Sequence, residues 1–80
     1  MKELKELIEY MAAPLVDHPE EIRVDEVEKD DVIIYRLSVT KEDLGKVIGK
    51  QGRVVQAIRS VAKAAAWKEK KRVWVEIMNT

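Results

Sequence analysis

Leu4, Leu7, Ile8, Met11 and Leu15 recur at helical intervals, with Lys and Glu between them, and predict an amphipathic helix from about residue 2 to residue 13 or 16. Pro14 forfeits a backbone hydrogen bond in its last turn. A polar connector, Asp17-His18-Pro19-Glu20-Glu21, leads into Ile22, Val24 and Val27, whose interspersed charges predict a short edge strand. After a turn at Lys29-Asp30-Asp31, the β-branched segment from Val32 to Thr40 predicts a strand with Ile33, Tyr35, Leu37 and Val39 on one face. Thr40-Lys41-Glu42-Asp43 has the form of a capping box, so a short helix should open at Lys41, turn Leu44, Val47 and Ile48 inward and stop at Gly49. A longer helix should run from Arg53 to about Trp67 or Lys68. Val54, Ala57, Ile58, Val61, Ala62, Ala64 and Ala65 form its apolar side, and Arg53, Gln56, Arg59, Ser60 and Lys63 its polar side. Lys68 to Lys71 break the pattern, and Val73, Val75 and Ile77 alternate with Trp74 and Glu76 in a last strand. The predicted order is α-β-β-α-α-β.

Eighty residues are too few for two independent cores, so residues 1–80 are expected to form one domain. The 46% hydrophobic content is enough for that core, and the regular apolar spacing argues against disorder. With no cysteine, disulfide scaffolds and thiolate metal sites are excluded. No apolar run approaches the roughly 18 residues of a membrane span, and the first six residues alternate charge where a signal peptide would be apolar. The expected compartment is the cytoplasm.

The formal net charge is zero, which alone argues against a nucleic-acid partner. Its distribution changes that picture. Residues 1–40 carry five basic and eleven acidic side chains, a net of −6, and residues 41–80 carry ten basic and four acidic, a net of +6. Either the halves neutralise each other in the fold, or a basic face meets an anion while the acidic half keeps the molecule soluble.

The most informative segment is Val47-Ile48-Gly49-Lys50-Gln51-Gly52-Arg53-Val54-Val55, in which two glycines separated by two polar residues join two helices. Glycine accepts positive φ and has no Cβ to keep another backbone away. The second helix begins just after Gly52, so its unpaired N–H groups and positive dipole end face the same approach, beside Lys50 and Arg53. That combination suits a phosphodiester. The spacing fits neither G-x-x-x-x-G-K-[ST] nor G-x-G-x-x-G after a strand, so ATP, NAD and FAD are not expected. Taken alone, the four residues also fit a plain helix–helix turn with Gly49 after the helix end.

The aliphatic pair, the G-x-x-G loop with its internal lysine, the basic helix after it and the element order together resemble the KH RNA-binding domain. The resemblance is to the type II topology over nearly the whole chain. The segments Pro14 to Ile22, Val47 to Arg53 and Val61 to Ala66 are similar to the small bacterial single-KH proteins of the KhpA family. It implies an α+β fold in which a three-stranded mixed sheet carries three helices on one face. It further implies that single-stranded RNA lies beside a loop that clamps about four nucleotides. By position, Gly49, Lys50, Gln51 and Gly52 would be the clamp and Arg53 the first residue of the next helix. Val47, Ile48, Val54 and Val55 would shape the groove or the core behind it. Gln56, on the polar side of that helix, joins the RNA-binding set. The family implies a post-transcriptional regulator or RNA chaperone that forms a homodimer or a heteromer with a larger Jag-type KH protein. No cofactor, metal or membrane is implied. A rival reading is a protein-interaction adaptor on a KH scaffold, using an apolar cluster of Ile34, Trp74 and Met78 on the open face of the sheet.

The remaining candidates have plainer readings. His18 has no second soft ligand and is expected in a loop. The acidic run from Glu20 to Asp31 is expected as a solvated face. Trp67 and Trp74 could stack on bases, as aromatics do in sheet-face RNA readers, but KH domains do not generally rely on such aromatics and both are assigned first to packing or partner contact; Lys68, Lys70, Lys71 and Arg72 could extend a phosphate track but are assigned to a solvated turn. No nucleophile–base pair stands out, so an enzyme is not expected.

Overall fold

The computed structural model describes residues 2–80. Its elements are α1 (Lys2–Ala12), β1 (Arg23–Lys29), β2 (Val32–Val39), α2 (Leu44–Ile48), α3 (Arg53–Trp67) and β3 (Arg72–Asn79), in the order α-β-β-α-α-β. The strands form one mixed sheet in the order β1-β2-β3, with β1 antiparallel and β3 parallel to β2. The three helices cover one face. Ile33, Tyr35, Leu37 and Val39 all point into the core, as their alternation predicts. Leu4, Ile8 and Ala12 of α1 and Ile58, Ala62 and Ala66 of α3 meet them there. Fully burying a side chain such as Ile8 stabilises by about 1.5–3 kcal/mol. Tyr35 is fully buried, and its hydroxyl hydrogen-bonds with Glu26, directly opposite on β1; burial first, and that carboxylate second, push the phenol pKa up.

The ends of the elements follow local chemistry. α1 stops at Ala12, and Pro14 sits in a 3-10 turn over Ala13–Leu15, because its ring nitrogen has no hydrogen to give. Leu15 therefore leaves the helical stripe and is exposed. The β1–β2 hairpin closes through Asp30 and Asp31, with Asp30 at φ +56°, a left-handed conformation that a short polar side chain tolerates. Thr40 caps the next element as expected, its Oγ1 accepting from the Asp43 N–H at 3.3 Å. A 3-10 turn over Lys41–Asp43 precedes α2, so the helix proper opens three residues later than the capping box suggests.

Two expectations are corrected. The inward face of α3 is Val55, Ile58, Ala62 and Ala66; Ala57, Val61 and Ala64 face solvent and Val54 is half-buried. The apolar side is thus rotated from the predicted one, because valines and alanines occur on most sides of this helix and the pattern does not select a phase. Ile34, Trp74 and Met78 do point to the open face of the sheet, but they form no cluster. Ile34 pairs with Trp74, whereas Met78 stands opposite Ser38 and is separated from them by the Arg36–Glu76 ion pair at 3.2 Å.

Candidate nucleic-acid interface

α2 ends when the Gly49 N–H donates to the Gly45 carbonyl at 2.8 Å. The chain then turns through Gly49, Lys50, Gln51 and Gly52 into α3, with the Gly52 N–H returning to the Gly49 carbonyl at 3.2 Å. Three of these four residues have positive φ: Gly49 at +77°, Gln51 at +58° and Gly52 at +73°. The glycines do different work. Gly49, at φ 77° and ψ 174°, occupies a region that belongs almost to glycine alone, and a Cβ there would lie 2.3 Å from Val54 Cγ2. Its missing side chain is the space that Val54 fills, which locks the loop against the first turn of α3. At Gly52 the nearest atom to such a Cβ is Val55 Cγ1 at 3.9 Å, so this side of the loop is open. The expectation that both glycines leave room for an approaching backbone therefore holds at Gly52 only.

Lys50, Gln51, Arg53 and Gln56 are exposed around this opening. Among the described residues the side chains of Lys50 and Arg53 form no ion pair or hydrogen bond, and the Arg53 backbone N–H donates to the Lys50 carbonyl, so both charged groups are available to an anion. The first N–H groups of α3 lie at the same place, and the positive end of its dipole adds to them. Of the aliphatic candidates, Val47 and Val55 are buried in the core, and Ile48 and Val54 are half-buried behind the loop.

A second set of contacts, beyond what sequence reasoning found, holds this region in place. The Asp43 carboxylate has no exposure and accepts the N–H groups of Asp17 and His18, each at 3.0 Å. Lys46 reaches both Asp43 and Asp17. Burial opposes ionisation of Asp43, but these N–H donors, Thr40 and Lys46 outweigh it and hold the carboxyl below the usual range. The connector between α1 and β1 is thereby tied to the start of α2. His18 lies in that connector, as expected, between Glu20 at 3.6 Å and Glu42 at 3.4 Å; partial burial works against its protonation, but Asp43, Glu42 and Glu20 push its pKa up. Farther along α3, Arg59 reaches the outer edge of β3. Its Nε donates to the Val75 carbonyl at 2.9 Å and its guanidinium lies 4.2 Å from the centre of the Trp74 ring. The capping-box acid hinted at Asp43, but its partners lie about 25 positions away and left no local signal.

A family model described as "KhpA/KhpB, KH domain" matches residues 5–77. The RNA-binding protein KhpA of Clostridium perfringens is 57% identical over 75 residues, covering 94% of this chain and 100% of that protein. The chain belongs to the KhpA/KhpB KH-domain family. Two solved structures share the fold of this KH domain. Era from Aquifex aeolicus bound to GDP.AlF4- aligns with a TM-score of 0.71 at 23% identity, over 98% of this chain and 31% of Era. Era in complex with MgGDPNP and nucleotides 1506–1542 of 16S ribosomal RNA aligns with a TM-score of 0.64 at 18% identity, over 95% of this chain and 29% of the other. Among the described residues of the KH domain no helix is long and apolar enough to cross a membrane.

Proposed function

We infer that this KH-domain chain binds single-stranded RNA, with Gly49, Lys50, Gln51 and Gly52 as the clamp and Arg53 and Gln56 extending the contact along α3. The observation that carries this reading is the loop itself. Gly49 locks it onto Val54, Gly52 leaves one side open, and two unpaired cations flank the N-terminus of a fifteen-residue helix. A sugar-phosphate strand resting there meets the backbone at Gly52 with Lys50 and Arg53 beside it. That favours affinity with little dependence on sequence, since amides and lysines read phosphate and not base edges. The name of the Clostridium perfringens relative, RNA-binding protein KhpA, which this chain matches over that protein's whole length, supports RNA as the polymer. Val47 and Val55 serve as support for the loop, and Ile48 and Val54 are the aliphatics nearest the strand. In this reading residues 1–80 are a single type II KH domain that works in the cytoplasm as a binder and not as a catalyst, in post-transcriptional regulation or as an RNA chaperone.

One groove touching about four nucleotides binds weakly, and joining two raises avidity by roughly 10² to 10⁴. The chain therefore acts as one half of a pair, with a second copy or with a larger Jag-type KH protein. Replacing Lys50 and Gln51 together by Asp tests the clamp. Lys50 is exposed, and Asp tolerates the left-handed backbone of Gln51, so the variant folds. It should lose detectable RNA binding at an unchanged melting temperature; a folded double variant that binds RNA like the parent would refute the assignment.

A second reading, a protein adaptor, rests on the row Val27, Ile34 and Trp74 that runs across the open face of the sheet. Salt separates the two. Phosphate binding weakens steeply with ionic strength and an apolar contact persists; a Trp74→Glu variant with unaltered self-association removes the adaptor surface.

A further inference from the structure

The polar stripe of α3 does not end at the glycine loop's neighbourhood. Gln56, Arg59, Lys63 and Trp67 follow one another at intervals of three or four residues, so they form a line down one side of the helix. From Gln56 to Trp67 this line rises about 17 Å. At its far end is a hollow of about 480 Å³ between the last turn of α3 and the start of β3. Its apolar floor includes Trp67, Trp74 and Val73, and Lys63, Lys71 and Arg72 line its rim. Trp67 is 73% exposed and Trp74 39%, so packing does not account for the first indole and only partly for the second. The Lys63 ammonium lies 5.3 Å from the centre of the Trp74 ring.

Among the described residues Lys63, Lys71 and Arg72 form no ion pair, and no carboxylate lines this hollow. Glu28, Asp30 and Asp31 lie on the other side of Lys71 and Arg72, around a separate polar hollow. Flat aromatic surface enclosed by cations is what a nucleobase attached to phosphates requires. A protein segment would need an apolar or acidic face, and nothing beyond the indoles selects one. The stripe leads to the hollow directly from the clamp.

We propose that this hollow is a second nucleotide subsite, in which a base of the RNA strand leaving the clamp stacks on Trp67 while its phosphates meet Lys63, Lys71 and Arg72. Trp74, held from above by Arg59, forms the fixed wall of the subsite. The proposal rests on the RNA-binding reading, and it lengthens the footprint from about four nucleotides toward about ten.

The two tryptophans of the chain make the test direct. Mixed-sequence RNA oligomers of about four and about ten nucleotides are titrated against the parent, Trp67→Ala and the Lys50/Gln51 double Asp variant, with Trp74→Phe used to isolate Trp67 emission. The longer oligomer should quench Trp67, and Trp67→Ala should lose about tenfold in affinity for it, a loss confined to that oligomer. Lys71→Glu, a change in an exposed turn, should lower the salt dependence of the longer oligomer by about one ion. If Trp67→Ala binds the longer oligomer like the parent while the double variant binds neither, the subsite is refuted and the clamp stands. If the double variant binds both oligomers like the parent while Trp67→Ala still loses the longer one, the clamp fails and the subsite stands. An altered oligomeric state at unaltered RNA affinity would make the hollow a protein contact and overturn the proposal, as would binding of neither oligomer by the parent.

Discussion

The two ends of α3 are both rich in lysine and arginine, yet they offer an anion different things. At the N-terminal end the helix dipole is positive and Gly52 leaves space beside the backbone, although the N–H groups of Gly49, Gly52 and Arg53 are already bonded to nearby carbonyls. At the C-terminal end the last carbonyls are already occupied: Ala66 accepts from Glu69 and Lys71, and Trp67 accepts from Lys70, at 2.9–3.1 Å. The dipole there is negative, so a phosphate near Lys71 depends on side chains alone and a base on the indoles. The difference teaches that a basic sequence is not by itself a phosphate site. In the proposed reading the backbone opening and the helix dipole assist the lysine at one end, and at the other only side chains can act.

The sharpest way to break the N-terminal end is Gly49→Ala. The new Cβ collides with Val54 in a backbone region closed to alanine, so we expect a loss of about 3 kcal/mol in urea unfolding, together with RNA binding. Next comes the tether beneath the loop. The two Asp43 oxygens each accept a backbone N–H, so in Asp43→Asn the amide turns a donor toward a donor, and the variant should unfold at lower urea than the parent at neutral pH. Because the folded pKa of Asp43 lies below its unfolded value of 3.8, its contribution is complete above that value and is lost as pH falls through the folded pKa. Urea midpoints measured from neutral pH downward should therefore fall more steeply for the parent than for Asp43→Asn. The smallest pair contrasts the two ends directly. Gly52→Ala places a side chain at φ +73° and should cost about 1 kcal/mol, whereas Lys70→Gly, relieving φ +56° in the turn after α3, should gain roughly 0.5–1 kcal/mol. Chemical unfolding reads both, and equal signs would show that the two turns are not opposites.

Much of this was legible in the chain, for identifiable reasons. β2 buries Ile33, Tyr35, Leu37 and Val39 because strict alternation has one solution, and the glycine spacing marked the loop because few other residues accept its backbone. The phase of α3 was not legible, since Val54-Val55 and the alanines from Ala62 to Ala66 offer apolar atoms on several sides. Nor was the division of labour between Gly49 and Gly52, which depends on where Val54 packs. Arg59 on the β3 edge and Asp43 on the α1–β1 connector are contacts between distant segments that local pattern does not encode. Residue type left Trp67 between packing and base stacking, and its exposure at the end of the stripe favours the second.

In the proposed binding mode the RNA strand lies against the main chain at the start of α3. Amide chemical-shift mapping of the ¹⁵N-labelled protein with an RNA of about four nucleotides reads this residue by residue. The largest shifts should fall on Gly49 through Val55, with the amides of β1 unmoved. Shifts concentrated on β1 and the open face of the sheet, with the glycine loop silent, would contradict it.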